Sequence, residues 1–464
     1  MSTGMRRPHE LDYDAIERLF PPPPEYFETT FFEDPDTIAR KQLLRLQDRT
    51  QRAWQVPFFR KRWEAAGFHP DQLHTVDDLW KAPAYTVDDI RASINENPPL
   101  GDYQSIGLED ARNEPMRLYV SGGTTGRSRP TLYTAWDREV GAITMARALY
   151  AEGIRPGDVV INAWAYSTHN GAHAFDEALY RWLNCVVLTT GTGNVTSTRK
   201  QVELAHEYGA AAILTTGDYM LKMAETAVEM GLDPKADFNI RALPGGHIGD
   251  AERVKEVWGV TPAQPYGFHE VQNVSIECPL RNGQLHIFED CFVVQVVDVE
   301  TGEQVPDGTQ GALVITEIYK TGSPQFRYNI MDLSFLYPPG QCECGSWLRR
   351  MGPFAGRGDN MVKLRGVNVW PEAIGDVISD VAGVTEDFFC RAVRAGDRDE
   401  MIVMVASDAP DDEFAAVAER VEARIKEVMS VRMTAEVVRP GELDDLTGMA
   451  SGAAKLVRFK DARP

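Results

Sequence analysis

Three glycines, two arginines and a run of hydroxyl side chains crowd into Tyr119-Val-Ser-Gly-Gly-Thr-Thr-Gly-Arg-Ser-Arg-Pro-Thr-Leu-Tyr-Thr134. Glycine tolerates positive φ, so successive backbone N–H groups can converge on an anion. Ser121, Thr124 and Thr125 add hydroxyl donors, with Gly122, Gly123 and Gly126 between and after them, and Arg127 and Arg129 add charge. A polyphosphate needs that combination. The stretch lacks the Gly-Lys-Ser/Thr ending of a Walker A loop, and no helical pattern follows it. Its flanks, residues 116–120 and 130–134, predict strand, loop, strand. A ligand-free hairpin rich in glycine and hydroxyl residues has the same composition, so other parts of the chain must decide.

Further groups that could do chemistry follow in order. They are Tyr266-Gly-Phe-His-Glu270, Arg327-Tyr-Asn-Ile-Met-Asp332, Gly356-Arg-Gly-Asp359, and Lys455 with Arg458. Each alone has a structural explanation: a turn beside an acid, an aspartate capping a strand, a solvated lysine. The cysteines give a separate signal. Cys342-Glu-Cys344-Gly resembles half a zinc knuckle, and Cys278 and His286 stand on neighbouring antiparallel segments. Cys₃His is a complete tetrahedral zinc set. The alternative is a group of ordinary buried thiols, the expectation for Cys185 and Cys390, with Cys291 as a spare ligand.

These residues must be positioned by elements that the pattern also predicts. Residues 35–67 carry apolar positions at helical spacing, and short helices follow at 76–79 and 86–90. After the glycine-rich loop, helices at 136–151, 172–183, 198–208 and 218–230 alternate with strands at 158–164, 185–190, 211–215 and 240–243. That alternation predicts βαβ units around a largely parallel sheet, with ligands at the carboxyl ends of the strands. Residues 166–170 and 190–194 occupy such ends. From Gly283 the period becomes two, predicting antiparallel strands at 285–287, 291–299 and 311–317. The expected fold is therefore α/β. A large N-terminal domain, residues 1–356, has βαβ-wound sheets and a β-rich subdomain, and a small mobile α+β domain fills residues 357–464.

Composition bounds the function. With 43% hydrophobic and 25% charged residues the 464-residue chain reads as globular, and a net charge of −21 argues against a nucleic-acid partner. No apolar run reaches membrane-helix length and residues 1–14 lack a signal-type apolar core, so no membrane and a cytoplasmic location are expected. Six scattered cysteines make no disulfide framework.

The order of the motifs resembles the adenylate-forming superfamily and, within it, the phenylacetate–CoA ligase family. The likeness runs from about Trp54 to Arg463 and includes Val56-Pro-Phe-Phe-Arg60, Arg155-Pro-Gly-Asp158, Ile276-Glu-Cys278, Leu285-His-Ile287 and Arg365-Gly-Val-Asn-Val-Trp-Pro371. It implies two half-reactions: a carboxylate attacks the α-phosphorus of ATP, and a thiol, usually that of CoA, then displaces AMP. It further implies that Ser121 to Gly126 hold the β/γ-phosphates and that Glu270 ligates Mg²⁺. Asp332 would bind the ribose hydroxyls, Arg357 would fix the nucleotide, and Tyr266 and Gly267 would lie along adenine or substrate. Lys455 would neutralise charge at the α-phosphate. The small domain would then turn about Asp359, bringing Arg365 and Gly366 to a thiol tunnel.

Departures from the family pattern centre on the acid pocket. Gly245-Gly-His247-Ile replaces Gly-Ala-Glu-Pro, Arg327-Tyr-Asn-Ile-Met-Asp332 loses two cations, Arg127 stands for a lysine, and Ser167-Thr-His-Asn170 replaces an apolar stretch. With Trp164, Tyr166 and Phe268 as flat walls and His169 and Asn170 as donors, the expected substrate is an aromatic acid bearing a hydroxyl or amino group. An adenylating enzyme that serves a carrier protein, an amine or another small nucleophile is the alternative, and a homodimer is compatible with either. A zinc-clipped nucleotide-binding relic without activity is the third reading. The joint presence of Lys455, Glu270 and Asp332 counts against it.

Overall fold

The computed structural model describes residues 10–121, 128–245, 251–358, 362–364, 367–395, 398–429, 431–449 and 456–463. The chain divides into two compact units, one of residues 1–330 and 335–353, the other of residues 331–334 and 354–464.

In the first unit, Asp34 caps the helix Pro35–Ala53 and Pro57 opens the helix Pro57–Ala65. The sequence pattern reads residues 35–67 as one helical stretch. The break has a local cause: Pro57 disfavours the helical region for the residue before it, and Val56 is extended (φ −87°, ψ 122°). Gly67 then takes φ 69°. Strands β1 (Met116–Ser121) and β2 (Arg129–Thr134) pair antiparallel with Ser121 opposite Arg129, so the glycine-rich stretch joins their ends. Thr134 caps the helix Ala135–Ala151 in a box with Asp137.

That helix is the unit's axis, buried along nearly its whole length, charged residues included. Each charge has a fixed partner: Asp137 accepts from Thr321 and Gly322 N–H groups, Arg138 pairs with Glu177, and Arg147 lies 3.0 Å from Asp290. A buried charge survives only when paired in this way.

Strand β3 (Val159–Asn162) lies between β4 (Val186–Thr189) and β5 (Ala212–Leu214), all parallel. Alternate residues enter opposite cores. Val160, Ala212 and Leu214 face Met145, Phe175 and Leu179, while Ile161 and Ile213 face Val202, Met220 and Trp258. Strands β3 and β5, buried on both faces, are continuous apolar runs, whereas the edge strand β4 leaves Val186 exposed. The strand expected at 240–243 is instead a single bridge between Ala242 and Ala212, because the chain leaves at Pro244 to bridge Ala263.

The β-rich part follows: β6 (Gly267–Phe268) with β7 (Gln272–Asn273), then β8 (Ser275–Glu277) with β9 (Leu285–Ile287), and β10 (Phe292–Val297) with β11 (Gly311–Glu317). Gly267 is required where it stands, since a Cβ there would lie 2.1 Å from the Gln272 carbonyl oxygen. Strand β12 (Tyr328–Ser334) begins in the first unit, with Asn329 N–H bonded to the Tyr85 carbonyl. Strand β13 (Arg350–Met351) pairs with β9.

In the second unit, β14 (Val362–Leu364) and β15 (Val367–Val369) form a hairpin, and β16 (Phe388–Ala395) and β17 (Arg398–Ala406) are antiparallel. Strands β18 (Thr434–Val438) and β19 (Phe459–Asp461) add in parallel on either side. The helix Phe414–Met429 lays Val417, Val421 and Ile425, at helical spacing, into a core with Cys390, Met401 and Val403. This is the small α+β pattern expected. One detail differs: Met331 to Ser334, and 354–356 with them, fall in the second unit, although the sequence places them in the first domain. The cause is backbone pairing, with Leu333 N–H on the Gly356 carbonyl and Ala355 N–H on that of Leu333.

Candidate active site and cysteine cluster

At the foot of the glycine-rich loop, Arg129 Nε donates to Glu270 Oε1 at 3.2 Å, and both side chains are largely buried. Ser121, opposite Arg129, is buried with its hydroxyl unpaired among the described residues. A hydroxyl, a guanidinium and a carboxylate thus converge where the loop begins and ends. Gly122, Gly123, Thr124, Thr125 and Gly126 themselves lie outside the described residues, as do His247, Asp359, Arg365, Gly366 and Lys455.

The backbone that carries Glu270 is held from behind. Tyr133 Oη lies 2.8 Å from the His269 carbonyl and 2.9 Å from that of Glu270. Lys320 Nζ donates to the Glu270 carbonyl at 2.5 Å and stands 3.7 Å over the Tyr133 ring. Burial lowers the Lys320 pKa, opposed by Glu317 and Asp137. Tyr266 is buried beside Phe268, their rings 6.2 Å apart, and Phe268 is 6.0 Å from the Tyr328 ring. Gly245 is buried, with its N–H on the Ala263 carbonyl.

The loop after β3 reaches the same place. Val120 N–H donates to the Thr168 carbonyl at 2.8 Å, which ties residues 166–170 to β1 one residue before Ser121. His169 is half-buried, its Nδ1 accepting from Gly171 N–H at 3.3 Å. Burial first, and His173 second, lower its pKa. Three expected pocket residues are otherwise engaged. Asn170 Oδ1 accepts from Arg138 Nη1 (3.0 Å), and its Nδ2 donates to the His269 carbonyl and Tyr133 Oη (3.3 Å each). It is a strut between elements, and a substrate would find its groups taken. The Tyr166 hydroxyl accepts from Asn162 at 2.8 Å and donates to Asp176 at 2.9 Å. Trp164 stacks on Phe175, centroids 5.8 Å apart, as part of the core.

His269 is a side chain that the sequence left without an assigned role, whereas Arg129, expected to add charge to the loop, is the partner of Glu270. Both His269 ring nitrogens are buried without a hydrogen-bond partner among the described residues. Burial pushes the ring's pKa down to about 4, with Lys320, Arg129 and His169 acting in the same direction, so it is neutral at pH 7. Its place inside the Tyr266-to-Glu270 motif was the available signal. In the second unit, Arg357 Nη1 lies 3.2 Å from Asp332 Oδ1, and the two residues form a backbone bridge.

Apart from this site, Cys278, His286, Cys342 and Cys344 bring one ligand atom each within 4.8 Å of one another. Cys278 Sγ is 3.8 Å from Cys342 Sγ, and Cys344 Sγ is 3.4 Å from His286 Nε2. Tetrahedral zinc bonds would set these separations at about 3.8 and 3.5 Å. Burial holds His286 neutral, its pKa near 4, and pushes the Cys278 thiol up to about 12. A cation is what would let several such thiols ionise together. Cys291, the spare ligand, is outside the group.

The chain is similar to several known proteins. The family described as "AMP-binding enzyme C-terminal domain" matches residues 366–463. A phenylacetate–coenzyme A ligase of Aromatoleum evansii is 30% identical over 92% of this chain and 95% of its own. One of Pseudomonas putida is 32% identical over 80% and 82%. The solved structure of 2-hydroxyisobutyryl-CoA ligase in the postadenylation state superposes with a TM-score of 0.82 at 25% identity, covering 99% of this chain and 96% of that one. The motifs, the loop flanked by β1 and β2 and the relatives coincide: this chain belongs to the phenylacetate–CoA ligase family of adenylate-forming enzymes.

Proposed function

We propose that this protein activates an aromatic carboxylic acid bearing a hydroxyl or amino substituent, using ATP, and passes the acyl group to the thiol of CoA. The observation that carries the reading is the buried Arg129–Glu270 pair facing Ser121 at the foot of the glycine-rich loop. In the first step a carboxylate oxygen of the acid attacks the α-phosphorus, and the bond to pyrophosphate breaks. The loop residues Ser121 to Gly126 hold the departing phosphates, and Arg129 adds charge where negative charge leaves. Glu270, fixed by Arg129 in front and by Tyr133 and Lys320 behind, is a carboxylate suited to Mg²⁺. Bound there, that ion would neutralise phosphate charge.

Asp332, oriented by Arg357, accepts from the ribose hydroxyls. Tyr266 and Gly267 line the nucleotide, and Lys455 neutralises the carboxylate–phosphate encounter. A turn of the C-terminal unit about Asp359 then brings Arg365 and Gly366 to the thiol. Sulfur attacks the acyl carbon, the bond to AMP breaks, and the thiol proton is released. His169, Gly245, His247 and Phe268 contribute to the acid pocket. Zinc held by Cys278, His286, Cys342 and Cys344 would be structural, with all four positions filled by protein.

The test is pyrophosphate release over a panel of aryl acids, with and without CoA, and mass spectrometry of the product. An aryl-CoA formed from a substituted acid is expected. Release that no acid stimulates would overturn the reading, and an acyl-adenylate that ignores CoA would replace the acceptor.

A further inference from the structure

A buried imidazole with both nitrogens unpaired is rare enough in folded proteins to require a reason. Among the described residues, His269 is such a group. Its main chain cannot drift, because its carbonyl is held by Tyr133 and Asn170. The ring stands edge-on to Tyr119, centroids 6.5 Å apart, and Tyr119 belongs to the strand that ends at Ser121. The next residue is Glu270, paired with Arg129 at the loop foot. On the other side, the 166–170 loop is bonded to β1 at Val120. The ring therefore lies at the junction of the acid-pocket loop and the phosphate-loop foot, where an acid's carboxylate must meet the α-phosphate.

The far end of the pocket offers less. Asn170 and Tyr166 have their polar groups engaged, and Trp164 packs against the core with its indole N–H the one group there left unpaired among the described residues. A substituent distant from the carboxylate finds few free partners among these residues. One adjacent to the carboxylate would find His269. A hydroxyl suits either ring nitrogen, since it can donate and accept.

We propose that His269 is a specificity-determining residue whose ring hydrogen-bonds a hydroxyl next to the reacting carboxylate, so that the acid is an ortho-hydroxy aryl acid. This rests on the reading of the site as one that adenylates aryl acids. A site built around such a bond rejects analogues lacking the hydroxyl, because the ring is then buried unpaired.

The experiment measures kcat/KM for acid-dependent pyrophosphate release with benzoate, 2-methylbenzoate, 2-hydroxybenzoate and 4-hydroxybenzoate. Wild type should favour the 2-hydroxy acid over the other three by at least about tenfold. In His269→Phe the ratio of 2-hydroxybenzoate to benzoate should collapse to within about threefold of unity. His269→Asn, which keeps a donor and an acceptor, should restore part of the ratio and covers a failure of the Phe variant to fold. Adenylation without ortho preference, or a Phe variant that slows all four acids equally, overturns this inference and leaves the adenylation reading standing. A wild type that responds to no acid overturns both.

Discussion

Replacing Cys344 by serine should remove zinc and lower the melting temperature. The sulfur–sulfur distance of 3.8 Å and sulfur–nitrogen distance of 3.4 Å match one tetrahedral ion, and Cys278 and Cys344 close a loop of about 65 residues. A cross-link over such a loop removes about 4 kcal/mol of unfolded-chain entropy. The pairing of β8 with β9 already holds Cys278 near His286 without metal, so roughly half of that figure should depend on Cys344. A loss of ~2 kcal/mol corresponds to a melting shift of about 2–3 °C in a protein of this size. The assay is metal analysis of protein purified without added metal, followed by thermal denaturation of both forms. About one zinc per wild-type chain is expected, with less in the variant. Zinc-free wild type whose thiols titrate freely, or equal melting of the two proteins, would refute the assignment and return the four residues to the ordinary core.

Other outcomes follow from single contacts. Asn170→Ala leaves Arg138 and the His269 carbonyl each short of a partner, so adenylation kcat should fall about tenfold, checked by steady-state pyrophosphate release. Lys455→Ala should slow adenylation by ~10²–10³ yet spare thioester formation from supplied acyl-adenylate; equal loss in both would count against the turn of the C-terminal unit about Asp359. Glu152 is buried with neither oxygen paired among the described residues, and burial raises its carboxyl to about 8, with Arg281 opposing. Its folded pKa lies above the unfolded value, so its contribution is full below about pH 4.5 and is lost as pH rises to about 8. Glu152→Gln should therefore match wild type near pH 5 and be more stable by a few kcal/mol near pH 8, in urea unfolding. A difference independent of pH would contradict this.

Much of this arrangement was legible locally. Glycines and hydroxyls between apolar flanks marked the loop joining β1 and β2, and continuous apolar runs marked β3, β4 and β5, because those signals need only neighbours in sequence. Cys278, His286, Cys342 and Cys344 were legible by ligand type, and the two hairpin segments brought them together as expected. What failed to show depends on distant partners. Asn170 looked like a free donor because Arg138, which occupies it, is 32 residues away. His269 stood within its motif without a role, because an unpaired nitrogen is a property of the packed interior. The extra strand at 240–243 shrank to a bridge since its pairing was decided at Ala212 and Ala263.

The same strut explains how one loop can serve two tasks. Arg138 is pinned by Glu177, stacks under Tyr119 at 5.0 Å and grips Asn170, which in turn holds the carbonyl before Glu270. The acid-pocket loop and the Glu270 segment therefore share one buried scaffold rooted in the helix Ala135–Ala151. A polar network of this kind is satisfied only in one arrangement, since each buried group left unpaired would cost about 1–3 kcal/mol. Under the proposed function such rigidity would fix the acid relative to the phosphates, and small displacements between reacting atoms cost large factors in rate. Substitutions that change the acid accepted should succeed at His169 and His269, whose ring nitrogens are not all spoken for. At Asn170 or Arg138 the same attempt should damage turnover for every acid alike.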